Sequence, residues 1–483
     1  MSNNIDLNPK FGGLLKDIRF WIVFFFLLRL YGITFPPLEV GHNWRQTDGL
    51  MIARNFYERD SNIFYPTVDL AGEKSGIVGC EFPTLNYLVY LVSLLFGYDH
   101  WYGRLIVLLS SSIGVLFFYK LIRKYFDEST AFNSSIILIV SLWFSYSRKT
   151  IPDVFAASLC IVGLYCAFGY FEKGKPLHLL IFFILALLGC LSKILAATLL
   201  TVLLFPMLDR NIPLGRKIAL SLFSLCILSL VCWWYFVWVP YLNTTYGFGG
   251  HFFMGLSFTE GASRILQNLN PVLKRFYGTP LKYFGFAVFL YAVFLVIHKK
   301  LWLPLGVFLL PFISFIIILI KTGTSIIGDH YYILTAIPSM AFITGYGLTK
   351  VNSTKIATIV LTLIGIECIA AQIYDFRIRQ PYRSLAELEV LLDEVSQPSD
   401  LIAVNADFHN PTAMYFTHRR GWATPNSNLS DSTYRNELRD KGCQYILIVK
   451  KLYGDLNLEH PVVHDSEYFK IYRINDYKKE SFK

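Results

Sequence analysis

The sequence predicts an α-helical multi-pass membrane protein with a small α/β domain at its C-terminal end. Three observations predict it. Of 483 residues, 54% are hydrophobic, 17% aromatic and only 16% charged, with a mean hydropathy of +0.45; soluble domains average about 25% charged. Long apolar runs recur from Arg19 to residue 373. Beyond about residue 375 the pattern changes to mixed charge with short β-rich runs. The formal charge of +10 reads as basic loops on the cytoplasmic side that also favour anionic lipid. Membrane lipids are therefore expected partners, and nucleic acid is not.

The first apolar run, 19–35, follows Lys10, Lys16 and Arg19 and has no small-residue cleavage site. It reads as a retained anchor with a cytoplasmic N-terminus. Further runs that could span are 103–121, 131–147, 153–171, 177–192, 195–208, 217–238, 281–297, 302–320, 331–349 and 355–373, giving about eleven transmembrane helices. The pair 177–192 and 195–208 is short. Lys193 at their junction favours two short helices meeting at a polar surface over one broken helix, because a mid-membrane lysine costs about 2.5–3.5 kcal/mol.

Leu85–Phe96 is too short to span and is expected to be interfacial or re-entrant. Lys120, Arg123 and Lys124 then share the cytoplasmic side with Lys173, Lys175, Arg210, Arg216, Lys217, Lys299, Lys300, Lys350 and Lys355, as the positive-inside rule requires. Three larger segments fall on the outer face: loop 36–102, loop 240–280 and tail 375–483. The expected organisation is a membrane domain, 1–374, followed by an extracytoplasmic α/β domain, 375–483. In the tail, strand-like runs start at Leu401, Gln444 and Tyr468, and helix-compatible stretches cover 384–396 and 411–419. No transporter-type repeat is visible. Cys160, Cys166, Cys190, Cys226, Cys232 and Cys368 sit in apolar runs, while Cys80 and Cys443 sit in polar ones. That is neither a disulfide framework nor a zinc spacing. His42, His251, His409 and His418 have no metal spacing either. No cofactor is required; a divalent metal is compatible with the sequence but not indicated by it.

This topology gathers polar residues at one membrane surface. Asp48, Arg45 and Glu81 lie in the first outer loop, and Arg104 opens the second span. Arg148, Lys149 and Asp153 lie at the ends of the third and fourth spans, and Lys193 at the next junction. Lys321, Asp329, His330, Tyr331 and Tyr332 follow the ninth span. Acids and cations at an interface suit transfer from a lipid-linked phosphate donor: cations hold the leaving phosphate and a carboxylate takes the proton of an incoming hydroxyl. Plainer readings stand beside these. Asp48 could cap a helix from Gly49 to Tyr57, Asp153 could serve a helix dipole, Lys193 could snorkel, and His330 with Tyr331 and Tyr332 could be an aromatic belt. Glu81 beside Pro83 could be structural. A flippase for lipid-linked saccharides, or a non-catalytic envelope assembly protein, are the other functional classes.

The ordered set of Asp48, Glu81-Phe82-Pro83, Gly103-Arg104, Tyr146-Ser147-Arg148, Pro152-Asp153, Leu191-Ser192-Lys193 and His330-Tyr331-Tyr332 resembles the GT-C fold membrane glycosyltransferases. The resemblance, over roughly residues 15–350, is to the protein O-mannosyltransferase and aminoarabinose-transferase group (glycosyltransferase family 39-like). It implies an inverting transferase in a prokaryotic inner membrane, moving a sugar from a polyprenyl-phosphate donor to a lipid, glycan or protein hydroxyl outside. It implies Asp48 as general base or acceptor-orienting acid and Asp153 as the acid of the second outer loop. Lys193 and Arg104 match the family's lysine and arginine at those positions; Arg45, Glu81, Lys321, His330 and Tyr331 complete the candidate donor-phosphate and substrate set. Two departures stand out. Gly49 replaces the second acid of the family's frequent Asp-Glu pair. Phe82 stands where many members carry a phosphate-binding lysine.

Overall fold

A computed structural model describes residues 13–248, 255–408 and 410–474; Lys10, His251 and His409 lie outside the described residues. The chain forms two compact units. A helical unit contains Met1–Ile33, Tyr102–Tyr235 and Met254–Asp375, and a mixed unit contains Thr34–Trp101, Phe236–Phe253 and Phe376–Lys483.

Every expected apolar run contains a helix. Among the described residues five helices are long and apolar enough to cross a membrane: Tyr102–Tyr125, Pro152–Lys173, Leu214–Tyr246, Trp302–Ile320 and Thr354–Phe376. A sixth arises if Leu269–Gly278 and Lys282–His298, bent by 89°, count as one. The difference from about eleven comes from breaks that shorten the other runs. The first helix, Ile18–Arg29, is capped by the Asp17 side chain and stops at Arg29. The third run is cut at Ser141. Pro176–Ser192 ends at Lys193, whose φ of −157° is extended. The next run opens as a 3-10 helix, Ile194–Leu203, before Leu204–Leu208. A 3-10 helix rises more steeply, so these fifteen residues still reach roughly 27 Å, close to a hydrocarbon core.

Within this unit, helices approach closely at small residues, as they do where apolar side chains gain nothing by leaving lipid. Gly345 of Ile337–Thr349 faces Ser134 of Glu128–Val140, and a Cβ there would lie 2.4 Å from the Ser134 backbone nitrogen. Pro152–Lys173 begins with proline in its first turn and ends at Gly174 with φ of 66°, the usual asymmetry of helix ends.

The mixed unit is built on a five-stranded sheet of β1 (Leu401–Val404), β2 (Arg420–Ala423), β3 (Cys443–Val449), β4 (Val462–Asp465) and β5 (Phe469–Arg473), in the order β2-β1-β3-β5-β4. β1 runs parallel to β2 and β3; β5 is antiparallel to β3 and β4. The expected segment 375–483 contains a small α/β fold with two clusters: Ala403, Leu438, Ile446, Ile448 and Tyr472 pack among residues of the segment itself, and the second cluster is shared with the first loop. Ile402, Val404, Met414, Leu447 and Val449 pack in one cluster with Leu50, Met51, Phe56, Val68 and Val78 of the first loop.

Polar contacts tie the same pieces. Asp69 receives Arg54 at 3.2 Å and Arg59 at 2.8 Å. Arg54 also donates to the Tyr415 carbonyl at 3.0 Å and lies 4.7 Å from the Tyr415 ring centre. Gly72 donates to the Gly421 carbonyl at 2.8 Å, and Gly421 to the Asp69 carbonyl at 2.9 Å. Thr84–Phe96 buries Leu85, Val89 and Ser93 while Leu91, Leu94, Leu95 and Phe96 stay exposed. That apolar outer face suits the expected interfacial helix.

Two outcomes follow. Gly72 has φ of +62°, and a Cβ there would fall 2.2 Å from Trp422 Nε1; Gly72→Ala should cost about 1–3 kcal/mol, seen as a clear fall in melting temperature. His418 bonds Glu58 at 2.8 Å and Glu389 at 2.5 Å. These two carboxylates raise its imidazole from 6.5 to about 9. The stabilisation is thus complete below about pH 6.5 and is lost as pH rises through about 9. Melting temperature should fall between pH 7 and pH 9.5 more steeply in the wild type than in His418→Asn; parallel curves would remove His418 from the account.

Candidate active site

Asp48 is not a helix cap. Its helix is Asn43–Glu58, starting well before it, with His42 at the N-cap in a left-handed conformation of φ 59°. The chain turns sharply at Gly41-His42, and Asp48 is carried into the helix interior, where it is 1% exposed. A carboxylate so placed needs a partner, and Arg45, one turn earlier, supplies it: Nη1 lies 2.6 Å from Asp48 Oδ2. The other arm of the same guanidinium pairs with Glu81. One cation is therefore shared by two carboxylates, each taken by a different arm of a rigid planar fork.

Glu81 is held by the turn that leads into Thr84–Phe96. Asn86 of that helix donates to the Gly49 carbonyl at 2.5 Å, fixing the two helices beside the acid. Phe82 packs edge-on to Phe64 with centroids 6.2 Å apart, so its position is filled by apolar packing rather than by a cation. The neighbouring Cys80 thiol is pushed well above its usual range, by burial first and then by the Glu81 and Asp48 charges; it stays a neutral thiol.

In the helical unit, Asp153 and Lys193 are brought together. Asp153 lies in the first turn of Pro152–Lys173, a favourable place for a carboxylate. Lys193 Nζ is 3.5 Å from Asp153 Oδ1. Lys193 does not snorkel: it is 4% exposed. Its ammonium sits 4.7 Å from the Tyr332 ring centre and 5.3 Å from that of Tyr331. The two rings stack at 5.1 Å, so the cation is walled by π faces. His330 Nε2 is 2.9 Å from the Tyr146 hydroxyl; these aromatic residues form a lining rather than an outward belt.

Arg104 and Lys321 have other occupations. Arg104 is fully buried and donates to the carbonyls of Gly32 and Ile33 at 3.5 and 3.2 Å. Lys321 is exposed, and its ammonium donates to the Leu256 carbonyl at 2.9 Å. Residues outside the expected set matter as well. Lys149 is 1% exposed and lies 5.7 Å from the Tyr146 ring centre. Arg148 donates to the carbonyls of Tyr31 and Gly32 at 2.6 and 2.9 Å. Their signal was present: two adjacent cations between apolar runs are costly unless answered. Among the described residues no group of three or more His, Cys, Asp and Glu is placed to hold a metal ion.

Residues 81–236 match the family described as dolichyl-phosphate-mannose-protein mannosyltransferase. No curated protein matches the chain by sequence. The fold matches the crystal structure of ArnT from Cupriavidus metallidurans in the apo state, with a TM-score of 0.61 at 13% identity over 94% of this chain and 97% of that one. It matches ArnT bound to undecaprenyl phosphate with a TM-score of 0.55 at 15% identity, over 94% and 98%. The Archaeoglobus fulgidus oligosaccharyltransferase in the apo form gives 0.55 at 13% identity, over 89% of this chain and 69% of that one. The apolar helices and these likenesses support an integral membrane protein. The family match covers about a third of the chain, and the ArnT likeness covers the fold. The chain has the GT-C fold of membrane glycosyltransferases, and it resembles the protein O-mannosyltransferase and aminoarabinose-transferase group.

Proposed function

We propose that the protein is an inverting glycosyltransferase that moves a sugar from a polyprenyl-phosphate donor to an acceptor hydroxyl at the extracytoplasmic face of a prokaryotic inner membrane. The N-terminus is cytoplasmic in this reading, and the acceptor is a lipid, glycan or protein. The observation that carries it is the Asp48–Arg45–Glu81 bridge: a buried carboxylate in a helix interior, with no capping duty, whose cation is shared with a second acid. One cation against two carboxylates leaves the trio with one negative charge to offer a hydroxyl proton.

The reaction is a single displacement. The acceptor oxygen attacks the anomeric carbon from the face opposite the phosphate. The bond to the phosphate oxygen breaks, and polyprenyl phosphate leaves with the electron pair. The acceptor proton passes to Asp48, a general-base step of about 10²–10⁴-fold. Lys193 supplies positive charge to the leaving phosphate, with Asp153 and the two tyrosine rings holding its ammonium in place. Such preorganised charge acts mostly on the transition state. Glu81 positions Asp48 through Arg45. Arg104 is a structural clamp in this scheme, and Lys321 and His330 have no step assigned.

Asp48→Asn should retain the wild-type melting temperature and donor KM while turnover falls at least about 10²-fold. A folded variant with the wild-type transfer rate would sink the mechanism. Lys193→Met should lower kcat/KM for the donor at least about tenfold, read in the same membrane assay with folding checked by melting; an unchanged kcat/KM would remove Lys193 from the phosphate.

A further inference from the structure

A second feature of the helical unit is a cavity of about 200 Å³. Its wall runs along one face of three helices: Phe118 to Tyr125, Ile161 to Phe168 and Leu303 to Pro311. Each stretch covers eight or nine residues, so the cavity extends roughly 10–12 Å along the bundle. Val202 and Phe342 close its sides. Its polar wall groups are already spent: the Tyr125 hydroxyl donates to Glu172 at 2.5 Å and the Ser339 hydroxyl to the Ala336 carbonyl at 2.7 Å. Water needs two to four polar partners to stay in such a space. The cavity is thus suited to an apolar occupant.

One end of the cavity fixes what kind. Tyr125 and Leu303 are exposed at the same end, and each lies next to a basic turn. Around this end the loops 120–128, 172–178, 209–217, 298–300 and 350–355 carry twelve Lys and Arg against four Asp and Glu. Lys193 lies at the opposite end of Pro176–Ser192 from Lys175, a helix about 25 Å long. A polyprenyl donor with its phosphate at Lys193 does not place its head at this mouth. We infer that the cavity holds an acyl chain of an anionic phospholipid whose headgroup lies on the basic end of the helical unit. This site is separate from the glycosyl-transfer residues and stands whether or not those roles hold.

The test is native mass spectrometry of the full chain, purified in mild detergent and offered equimolar phosphatidylglycerol, phosphatidylcholine of the same chains, and polyprenyl phosphate. Retention of phosphatidylglycerol over phosphatidylcholine by at least about fivefold is expected, the effect of about one lysine-strength contact. Val202→Trp, which fills the cavity, should lower that retention at least about fivefold with little change in melting temperature; Val307→Phe is the substitute if Val202→Trp does not fold. Equal retention of the two phospholipids would overturn the inference. So would retention unchanged by the filling variants, or polyprenyl phosphate as the species they displace.

Discussion

Charge cut off from water must be answered inside the protein, and in the helical unit the answer is a strip of backbone. The first helix stops at Arg29, and the chain turns at Gly32 with φ of 64°. The carbonyls of Tyr31, Gly32 and Ile33, which a continuing helix would have consumed, are taken by Arg148 and Arg104. Bonds from a charged donor to a carbonyl each contribute about 1.5–3 kcal/mol, and cations suit the negative end of a helix. The grip fixes the break at Ser147–Thr150, from which Pro152–Lys173 starts. Asp153 in its first turn, and Lys193 against it, depend on that start.

The mixed unit obeys the same rule with carboxylates in place of carbonyls. Arg45 serves Asp48 and Glu81, Asp69 gathers Arg54 and Arg59, and His418 joins Glu58 to Glu389. His418 joins the first loop to the segments beside the sheet, and Arg54 does the same through the Tyr415 carbonyl. The Arg45 bridge joins two acids of the first loop, and one of them, Asp48, is the acid that the proposed function uses.

Much of this was legible in the sequence. Apolar runs located every long helix, because hydropathy over such lengths has one physical solution in lipid. The acids Asp48 and Asp153 and the cation Lys193 stood out because charge near a span is costly. What the sequence hid is direction. Nothing in Arg104 or Arg148 says that their guanidiniums turn onto carbonyls more than seventy residues away in sequence. β2 and β4 were missed because Arg420–Ala423 and Val462–Asp465 are four residues each with mixed character; pairing, not propensity, makes them strands. The cap reading of Asp48 failed because Asn43-Trp44-Arg45-Gln46 is polar and gave no periodic signal, although it is helical.

The proposed activity consumes a lipid-linked sugar rather than carrying it across the bilayer. The direct measurement uses the purified wild-type chain in lipid vesicles with a polyprenyl-phosphate sugar labelled in the sugar, plus an envelope extract as acceptor. Label should leave the lipid fraction for the acceptor while free polyprenyl phosphate accumulates in equal amount. An intact donor that merely changes leaflet would contradict it.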